Sequence, residues 1–538
     1  MPPVQADYVL EYDVLSLERE HHLYLLARVR AGASSPAGQR RPLNLCLVLD
    51  RSGSMQGAKL DYVRQAAQFL VQRLGAADRL SLVTYSESVH VNLGPGPVLH
   101  KDAVNQALQA IRAGGTTNLS GGWLQGCSLV AEGMAEGQVN RVLLLTDGLA
   151  NVGVTDPDRL AAMARQKRQE GIVTTTMGVG LDFNEDLLTR MAAEGGGAFY
   201  FIDNPDQAPH IFAEELADLL SVVGQNLLIT LTLSPQIQMV RQLNAYPAEV
   251  RGREVVFRLG DLFADELKTL VLELNIPALE RLGQVEVGQL RFDYDELGEQ
   301  QVTHRTLTLP IVINLAGQEA FAAQAPNAEV VRAALLLRAA RAREEAIHYA
   351  DDGDFQRAAQ VLTDVADAIQ SAPLEDAVLQ AEHDMLREEA LDMELGASRY
   401  DSHARKAATT KSFYAARQAR MQETVALHTR LKASRPALER HGPPPVVLAW
   451  RRERLPLHGR DRVRIGRAAD NDVVIPEDGV SAYHCQIVRS GADFFLEDLN
   501  STNGTYANGG RVAGRFRLSV GDIITVGSWL FMCRDAAG

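Results

Sequence analysis

Strand-like runs with little polar interruption alternate with amphipathic stretches in the N-terminal half of the chain. The runs are residues 43–49, 80–85, 141–146, 173–180 and 198–203. Between the first two, helical spacing places one apolar set on a single face: Leu60, Val63, Ala67, Leu70, Val71 and Leu74. Continuous apolar strands separated by helices are typical of a parallel sheet covered on both faces. The pattern predicts a doubly wound α/β domain over residues 41–222.

On either side of this domain, apolar and polar residues alternate one by one. This alternation covers residues 7–30 and 225–315 and is typical of half-buried antiparallel strands. Because the two ends of a compact domain often lie close together, one domain is easily inserted into another. We therefore expect residues 1–40 and 223–318 to form one β-sandwich into which the α/β domain is inserted.

The rest of the chain changes from helical to all-β character. Residues 323–435 show helical periodicity, and a D-D-G-D-F turn at 351–355 joins the first two helices. This turn is not an EF-hand, because the loop glycine and the closing glutamate are out of place. Residues 436–445 are predicted to be a stiff proline-rich linker. Short strands with Gly and Asn turns then predict an all-β sandwich over residues 446–536.

Composition and charge narrow the class of protein. Of the 538 residues, 46% are hydrophobic and 23% are charged, so several domains can each bury a core. The formal net charge of -14 argues against a nucleic-acid partner, because binding to phosphate backbones rests on clustered Lys and Arg. The N-terminus lacks a basic and apolar leader pattern, and no run of about 18 apolar residues occurs. We expect a cytoplasmic protein that is not inserted in a membrane.

The cysteine and histidine residues indicate neither a zinc site nor a disulfide framework. The four cysteines are far apart and show no C-x-x-C spacing: Cys46, Cys127, Cys485 and Cys533. Cys46 and Cys485 lie in apolar runs, where a small buried side chain is the expected role. His21 and His22 lie in an alternating strand pattern and are expected to be surface and core residues rather than ligands.

Polar residues occupy every second position after the first buried strand. They are Asp50, Ser52 and Ser54, and Asp147 follows a later strand in L-L-T-D-G. Ligands of open α/β sheets bind outside the carboxyl ends of the strands, so these side chains are expected to converge. Carboxylates combined with hydroxyls are hard oxygen ligands that suit Mg²⁺ better than zinc. The alternative is that the two serines only cap the helix beginning near Gly57.

A glycine-rich turn, A-G-G-T-T-N-L-S-G-G, adds a threonine to these motifs. In this order, D-x-S-x-S, the G-G-T turn and T-D-G resemble the metal-ion-dependent adhesion site of von Willebrand factor A (VWA) domains. The resemblance implies a site for Mg²⁺, with Mn²⁺ or Ca²⁺ as alternatives, formed by Asp50, Ser52, Ser54, Thr117 and Asp147. Thr117 is preferred to Thr116 because it directly precedes Asn118, and Asp147 is expected to act largely through water. The family's metal leaves one coordination place open for a Glu or Asp of a partner protein.

Three motifs in the last domain resemble those of forkhead-associated (FHA) domains. They are I-G-R at 465–467, V-S-A-Y-H at 480–484 and N-S-T-N-G-T at 500–505. The resemblance implies a phosphothreonine protein as partner, such as a substrate of a Ser/Thr kinase. The implied binding residues are Arg467, Ser481, Thr502 and Asn503. A guanidinium can contact phosphate through two hydrogen bonds, and the hydroxyls are neutral donors.

Four neighbouring positions refine the FHA interpretation. Gly466 lets the chain turn close to the phosphate, and His484 is expected to be structural. Ala482 stands where many family members carry a polar or basic residue, and Gly479 has no side chain to select the residue after the phosphothreonine. We therefore expect weaker or less selective binding, with a purely structural domain as the alternative.

Thr410 is a candidate phosphorylation site. It lies in S-H-A-R-K-A-A-T-T-K-S-F-Y at 402–414, a basic stretch that we expect to be accessible. Arg467 and Ser481 could capture a phosphorylated Thr410 within the same molecule or in a neighbouring one. The alternative is that Thr409 and Thr410 are ordinary helix-terminal threonines.

The two resemblances together predict a non-catalytic adaptor that grips an acidic group through Mg²⁺ and a phosphothreonine through the FHA domain. The alternative, implied by the resemblance to intracellular VWA proteins, is a substrate-presenting subunit of a MoxR-type AAA+ ATPase or chelatase. The ATPase would be a separate chain, since no P-loop motif occurs here. A Mg²⁺-dependent hydrolase using Asp50 and Asp147 is disfavoured, because no G-x-S-x-G or H-E-x-x-H motif is present. Within D-x-S-x-S, Arg51 is the only basic residue that could hold a phosphoryl group.

Overall fold

The fold is taken from a computed structural model of the chain. The structure describes residues 4–32, 41–202, 208–297, 302–374, 376–396, 400–416, 447–450, 453–457, 459–491, 493–508, 510–520, 522–527 and 529–534. The chain divides into two compact units, Met1–Glu375 with Ala397–Met421 and Asp376–Gly396 with Gln422–Gly538. The predicted linker 436–445 and the predicted helical region beyond residue 416 lie outside the described residues.

The first unit begins with three strands and continues into an α/β domain. The three strands are β1 (Val4–Leu10), β2 (Val14–Ser16) and β3 (His21–Ala31). The strands of the α/β domain are β4 (Leu43–Asp50), β5 (Arg79–Tyr85), β6 (Val89–Pro97), β7 (Val139–Thr146), β8 (Val173–Val179) and β9 (Gly196–Ile202). Its helices are α1 (Ala58–Arg73), α2 (Lys101–Ala110), α3 (Leu119–Gly133), α4 (Pro157–Gln169), α5 (Glu185–Gly195) and α6 (Ala208–Leu220).

The strands of the α/β domain form one sheet in the order β6-β5-β4-β7-β8-β9. All neighbours are parallel except β5 and β6, which are antiparallel. Every residue of β4 and β7 is buried, as expected for central strands covered by helices on both faces. The predicted doubly wound fold is thus confirmed. The apolar pattern does not predict β6, because an edge strand with the sequence V-H-V-N-L-G-P-G-P is largely exposed.

Strands from both sides of the α/β domain form the predicted β-sandwich. The later strands are β10 (Val222–Leu233), β11 (Gln238–Gln242), β12 (Ala248–Arg251), β13 (Glu254–Phe263), β14 (Leu267–Ile276), β15 (Gly283–Leu297) and β16 (Val302–Ala316). One sheet has the order β1-β3-β14-β11 and the other β12-β13-β10-β15-β16-β2. The two sheets share one core, in which Leu25 and Leu272 of the first meet Ile229 and Phe292 of the second. The α/β domain is therefore an insertion in the sandwich.

Helices follow the sandwich. They are α7 (Gln318–Ala322), α8 (Ala328–Asp351), α9 (Phe355–Gln370), α10 (Ala377–Glu394) and α11 (Ser402–Ala415). Gly353, with a φ of 82°, forms the turn between α8 and α9, and Asp354 caps α9. Val330 and Leu337 of α8 pack on Leu26 and Val271, the outward-facing residues of the first sheet. Within the described parts of the chain, none of the helices combines the length and apolar character that crossing a bilayer requires.

The second unit contains α10 and an all-β domain. Its strands are β17 (Val447–Trp450), β18 (Glu453–Pro456), β19 (Arg462–Gly466), β20 (Val473–Val474), β21 (Cys485–Ser490), β22 (Asp493–Asp498), β23 (Tyr506–Ala507), β24 (Gly510–Arg511), β25 (Arg515–Leu518), β26 (Ile523–Val526) and β27 (Trp529–Arg534). The two sheets have the orders β18-β17-β27-β26-β23-β24 and β20-β19-β21-β22-β25. They enclose one apolar core, as predicted for a C-terminal sandwich.

Candidate metal centre and phosphopeptide site

The candidate metal centre lies where β4 and β7 end side by side in the sheet. Leu49 of β4 is in register with Leu145 of β7, so the residues that follow these strands emerge at the same edge. After β4 the chain makes a short 3-10 turn, Gly53–Met55, before α1. The backbone N–H of Gly53 donates to the carbonyl of Gly115 at 3.0 Å, which draws the glycine-rich turn against the D-x-S-x-S segment. Three separate segments thus meet at one point.

Asp50 is fully buried and held by two hydrogen bonds. The Ser52 N–H donates to Oδ1 at 2.7 Å, and the Thr146 hydroxyl donates to Oδ2 at 2.7 Å. Burial raises the pKa of Asp50 above its usual value; the hydrogen bonds from Ser52 and Thr146 act in the opposite direction, and the nearby charge of Asp147 adds to the increase. A buried carboxylate beside a second one favours a cation that would neutralise both.

The hydroxyl groups gather around Asp147, which is also fully buried. The Ser52 and Ser54 oxygens lie 3.1 Å apart, and Ser54 donates to Asp147 Oδ1 at 2.7 Å. Thr117 Oγ1 and Ser54 Oγ lie 3.5 and 3.6 Å from the point where Gly148 would carry a Cβ. The structure therefore brings together all five residues predicted for the metal site.

Burial and capping distinguish between the alternatives left by the sequence. Thr117 is buried at the site, whereas Thr116 is exposed. Neither the 3-10 turn nor α1 has a side-chain cap, so the hydroxyls of Ser52 and Ser54 are not used as helix caps. Two carboxylates and three hydroxyls are hard oxygen donors and fit a divalent cation such as Mg²⁺.

Sequence reasoning missed three residues at the metal centre. Thr146 orients Asp50, and the Asn151 side-chain oxygen accepts the Thr117 N–H at 2.9 Å. Lys59 Nζ donates to Asp147 Oδ2 at 2.7 Å. Thr146 directly precedes Asp147 in the L-L-T-D-G motif and could have been suspected. Lys59 carries no such signal, because its contact depends on how α1 lies over the edge of the sheet.

The four residues predicted to bind a phosphopeptide lie together at one end of the C-terminal sandwich. The Thr502 N–H donates to Ser481 Oγ at 3.0 Å, and the two hydroxyl oxygens are 3.4 Å apart. Asn503 Nδ2 donates to the Gly479 carbonyl at 2.7 Å. Arg467 Nε donates to the Val480 carbonyl at 3.2 Å. Because Arg467, Thr502 and Asn503 are exposed, a ligand can reach them.

His484 and Gly466 hold the loops of this site together. His484 is fully buried; its Nδ1 accepts the Ser481 N–H at 3.1 Å, and its Nε2 lies 3.0 Å from the Gly504 carbonyl. This pair of partners requires the tautomer with the proton on Nε2. A Cβ on Gly466 would lie 2.5 Å from the Ala482 carbonyl, so only glycine permits this close approach. Gly479 and Ala482 are exposed and add no polar side chain to the site.

The structure corrects one expectation. Thr410 lies in α11, where it is only 1% exposed and its hydroxyl donates to the Lys406 carbonyl at 2.7 Å. The polar residues of 402–414 suggested an accessible stretch, but α11 packs one face on α8 and on the α/β domain: the Ser412 hydroxyl donates to the Ala340 carbonyl and the Tyr414 hydroxyl to the Phe199 carbonyl. Phosphorylation of Thr410 would require α11 to detach from α8 and from the α/β domain.

Comparison with known proteins agrees with both predicted domains. The von Willebrand factor type A domain matches residues 44–214, and the FHA domain matches residues 463–527. The uncharacterized protein sll0103 of Synechocystis sp. is 32% identical over 301 residues, which are 54% of this chain and 71% of that protein. The chain belongs to the von Willebrand factor type A family. VWA domains commonly bind a divalent metal at their adhesion site.

Other relatives match a smaller share of the chain. The uncharacterized protein YfbK of Escherichia coli K12 is 29% identical over 258 residues, which are 47% of this chain and 44% of YfbK. The chain thus spans less than half of YfbK. Among solved structures, a von Willebrand factor type A protein from Catenulispora acidiphila matches with a TM-score of 0.57 at 16% identity, covering 71% of this chain and 89% of that one. This likeness supports the fold. A VWA domain joined to an FHA domain indicates a protein that binds other proteins.

Proposed function

We propose that the protein is a non-catalytic cytoplasmic adaptor with two binding sites. A cation held by Asp50, Ser52, Ser54, Thr117 and Asp147 receives an acidic side chain of one partner. The FHA domain binds a phosphothreonine segment of another partner, such as the substrate of a Ser/Thr kinase. The observation that carries this proposal is the meeting of three distant segments at one edge of the VWA sheet, where Ser54 Oγ lies 2.7 Å from Asp147 Oδ1.

The residues of the VWA site would orient a divalent cation rather than saturate it. When bound, Mg²⁺ supplies a Lewis-acidic point that attracts an external carboxylate. Asp50 is fixed by Ser52 and Thr146, so its orientation does not depend on the partner. Both oxygens of Asp147 already accept hydrogen bonds, one from Ser54 and one from Lys59. This leaves few protein ligands for the cation and room for the partner.

The FHA site supplies hydrogen-bond donors for a phosphate. Arg467 is exposed and can turn its guanidinium from the Val480 carbonyl to a phosphate, with which it can form two hydrogen bonds. Ser481 and Thr502 add hydroxyls beside it, and Asn503 lies next to the Gly479 carbonyl for contact with a peptide backbone. The lack of polar side chains at Gly479 and Ala482 predicts modest selectivity for the flanking sequence.

The state of the cysteines supports a cytoplasmic location. All four are buried and unpaired: Cys46, Cys127, Cys485 and Cys533. Burial raises the pKa of each of the four thiols. Such thiols are inert, as expected of small packed side chains in a reducing compartment.

An affinity pull-down with the full chain tests the proposal. Asp50→Ala removes one partner set and Arg467→Ala a different one, and phosphatase treatment of the lysate removes only the second set. The exposed residues Asp102 on α2 and Arg462 on β19 provide matched controls, because Asp102→Ala and Arg462→Ala change charge in the same domains away from the sites.

The same experiment distinguishes the alternatives. Identical partner sets for all variants would exclude the adaptor function. An AAA+ ATPase that co-purifies with the wild type and is lost only with Asp50→Ala would instead support the substrate-presenting role.

A further inference from the structure

Lys59 places a positive charge inside the candidate metal centre. Its Nζ lies 2.7 Å from Asp147 Oδ2, and the side chain is only 26% exposed while that of Asp147 is completely buried. A second carboxylate, Asp182 Oδ2, lies 3.8 Å from the same nitrogen but is 75% exposed. The contact with Asp147 is therefore the one shielded from water and the stronger of the two.

The position of Lys59 in α1 is unfavourable for the helix itself. It is the second residue of α1, where the helix dipole is positive and acidic side chains are preferred. The side chain also passes close to Gly180, whose Cβ would lie 3.3 Å from Lys59 Cε, and Gly180 has a φ of 74°. Helix stability does not account for a lysine here, whereas the charge of the metal centre does.

Lys59 changes the net formal charge of the metal centre. Asp50 and Asp147 contribute two negative charges, and a divalent cation alone would make the centre neutral. With Lys59 the loaded centre carries one net positive charge. This charge opposes entry of the cation and favours arrival of an external carboxylate.

We infer that Lys59 makes firm metal binding depend on a partner: it weakens binding of the bare cation and strengthens binding of a carboxylate ligand to the loaded centre. This inference rests on the proposed metal site. A carboxylate that neutralises the centre then raises its affinity for the cation, and the cation raises the affinity for the carboxylate by the same factor. The protein would hold its metal firmly only when an acidic partner is engaged.

Calorimetric titration of the full chain with Mg²⁺, in the absence and presence of acetate, tests this inference. Lys59→Met should bind Mg²⁺ about tenfold more tightly than the wild type without acetate, because a like charge has been removed close to the cation. At an acetate concentration below saturation, acetate should increase the Mg²⁺ affinity of the wild type several-fold more than that of Lys59→Met, because Lys59 strengthens acetate binding to the loaded centre. Lys59→Arg keeps the positive charge beside Asp147 and should bind Mg²⁺ as the wild type does. It is the control for the effect of substituting position 59 without removing the charge.

Lys101→Met is the matched control. Lys101 also lies in the first turn of a VWA helix, α2, but its Nζ donates to the Gln72 carbonyl at the far end of α1. It should leave Mg²⁺ affinity unchanged. Equal affinities for Lys59→Met and the wild type, with Asp50→Ala failing to bind, would overturn the coupling by Lys59 and leave the metal site standing. Absence of Mg²⁺ binding by the wild type would overturn both.

Discussion

At the scale of single residues, the FHA site depends on side chains that do not touch a ligand. His484 links the loop that carries Ser481 to the loop that ends at Gly504. Gly466 lets the strand β19 pass close to the Ala482 carbonyl. These two residues set the distance between the loops. The proposed phosphopeptide would bind between the loops and contact the exposed Arg467 and Thr502.

Replacing His484 by alanine should destabilise the C-terminal domain by about 1–3 kcal/mol, because the Ser481 N–H and the Gly504 carbonyl lose their partner in a buried place. Binding of a phosphothreonine peptide should weaken as well, since the Ser481 loop is no longer fixed. Thermal unfolding and fluorescence anisotropy with a labelled phosphopeptide measure the two effects. Tyr483→Ala, at an exposed neighbouring position, is the control and should change stability little. A stable His484→Ala domain would contradict the structural role of this histidine.

At the scale of secondary-structure elements, α11 is attached to the VWA domain by a cluster of charges with a buried Lys406–Glu185 pair at its centre. Lys406 Nζ donates to Glu185 and, at 2.7 Å, to the Phe183 carbonyl, and it lies 4.3 Å from the Phe183 ring centre. Arg405 bonds Glu185 and Asp186 of α5 as well as Asp351 of α8. The helix therefore ties two elements far apart in the sequence to each other.

Glu185→Gln should destabilise the first unit by roughly 3–5 kcal/mol at pH 7, because Lys406 is left buried without a counter-charge. Burial alone would raise the pKa of Glu185, but hydrogen bonds from Lys406 and Arg405 hold it below its usual 4.5. The contribution of the Glu185 carboxylate is thus fully present above pH 4.5 and is lost as the pH falls through the lowered pKa. The difference in Tm between wild type and Glu185→Gln should shrink below pH 4.5.

Calorimetric scans between pH 7 and the acid limit of solubility check this dependence. Glu194→Gln is the control on the same helix: Glu194 pairs with Arg165, whose side chain is 54% exposed, so the change should be small at every pH. A Tm difference for Glu185→Gln that stays constant down to the acid limit would show that the carboxylate charge is not what holds α11.

At the scale of the whole first unit, a buried ion pair joins the VWA domain to the sandwich into which it is inserted. Arg141 of β7 donates to Asp261 of β13 at 3.1 Å, and both side chains are less than one-tenth exposed. Arg168 at the end of α4 is nearby: burial lowers its pKa, and the charge of Asp261 acts in the opposite direction. One carboxylate of the sandwich thus balances guanidinium groups of the VWA domain.

Asp261→Asn should cost about 3–5 kcal/mol, since buried guanidinium charge loses its counter-ion. Because the pair lies between the two domains, the calorimetric transition of the first unit should also broaden or split into two. Glu249→Gln changes an exposed acid of the same sandwich, which bonds Arg251 and Arg258 at the surface, and should have little effect. A single unshifted transition for Asp261→Asn would show that this ion pair does not couple the domains.

Local pattern was sufficient to predict most of the architecture. The runs of β4 and β7 appear directly in the sequence because strands buried on both faces are almost continuously apolar, and the face of α1 appears because its apolar residues repeat with the helical period. Asp50, Ser52 and Asp147 could be placed together because parallel strands present their carboxyl ends at one edge. The insertion in a sandwich followed from matching alternation on both sides of the VWA domain.

Only the tertiary structure decided which polar groups meet across long stretches of chain. Lys59 and Asp147 are 88 residues apart, and Lys406 and Glu185 are 221 apart. Neither pair can be recognised from the local sequence, because a lysine in an amphipathic helix is ordinarily a surface residue. Its partner is known only once the packing of the helix is known. For the same reason Thr410 appears accessible in the sequence and is buried in the fold. Periodicity reports the average environment of an element, whereas the chemistry of a site depends on which neighbours packing brings to it.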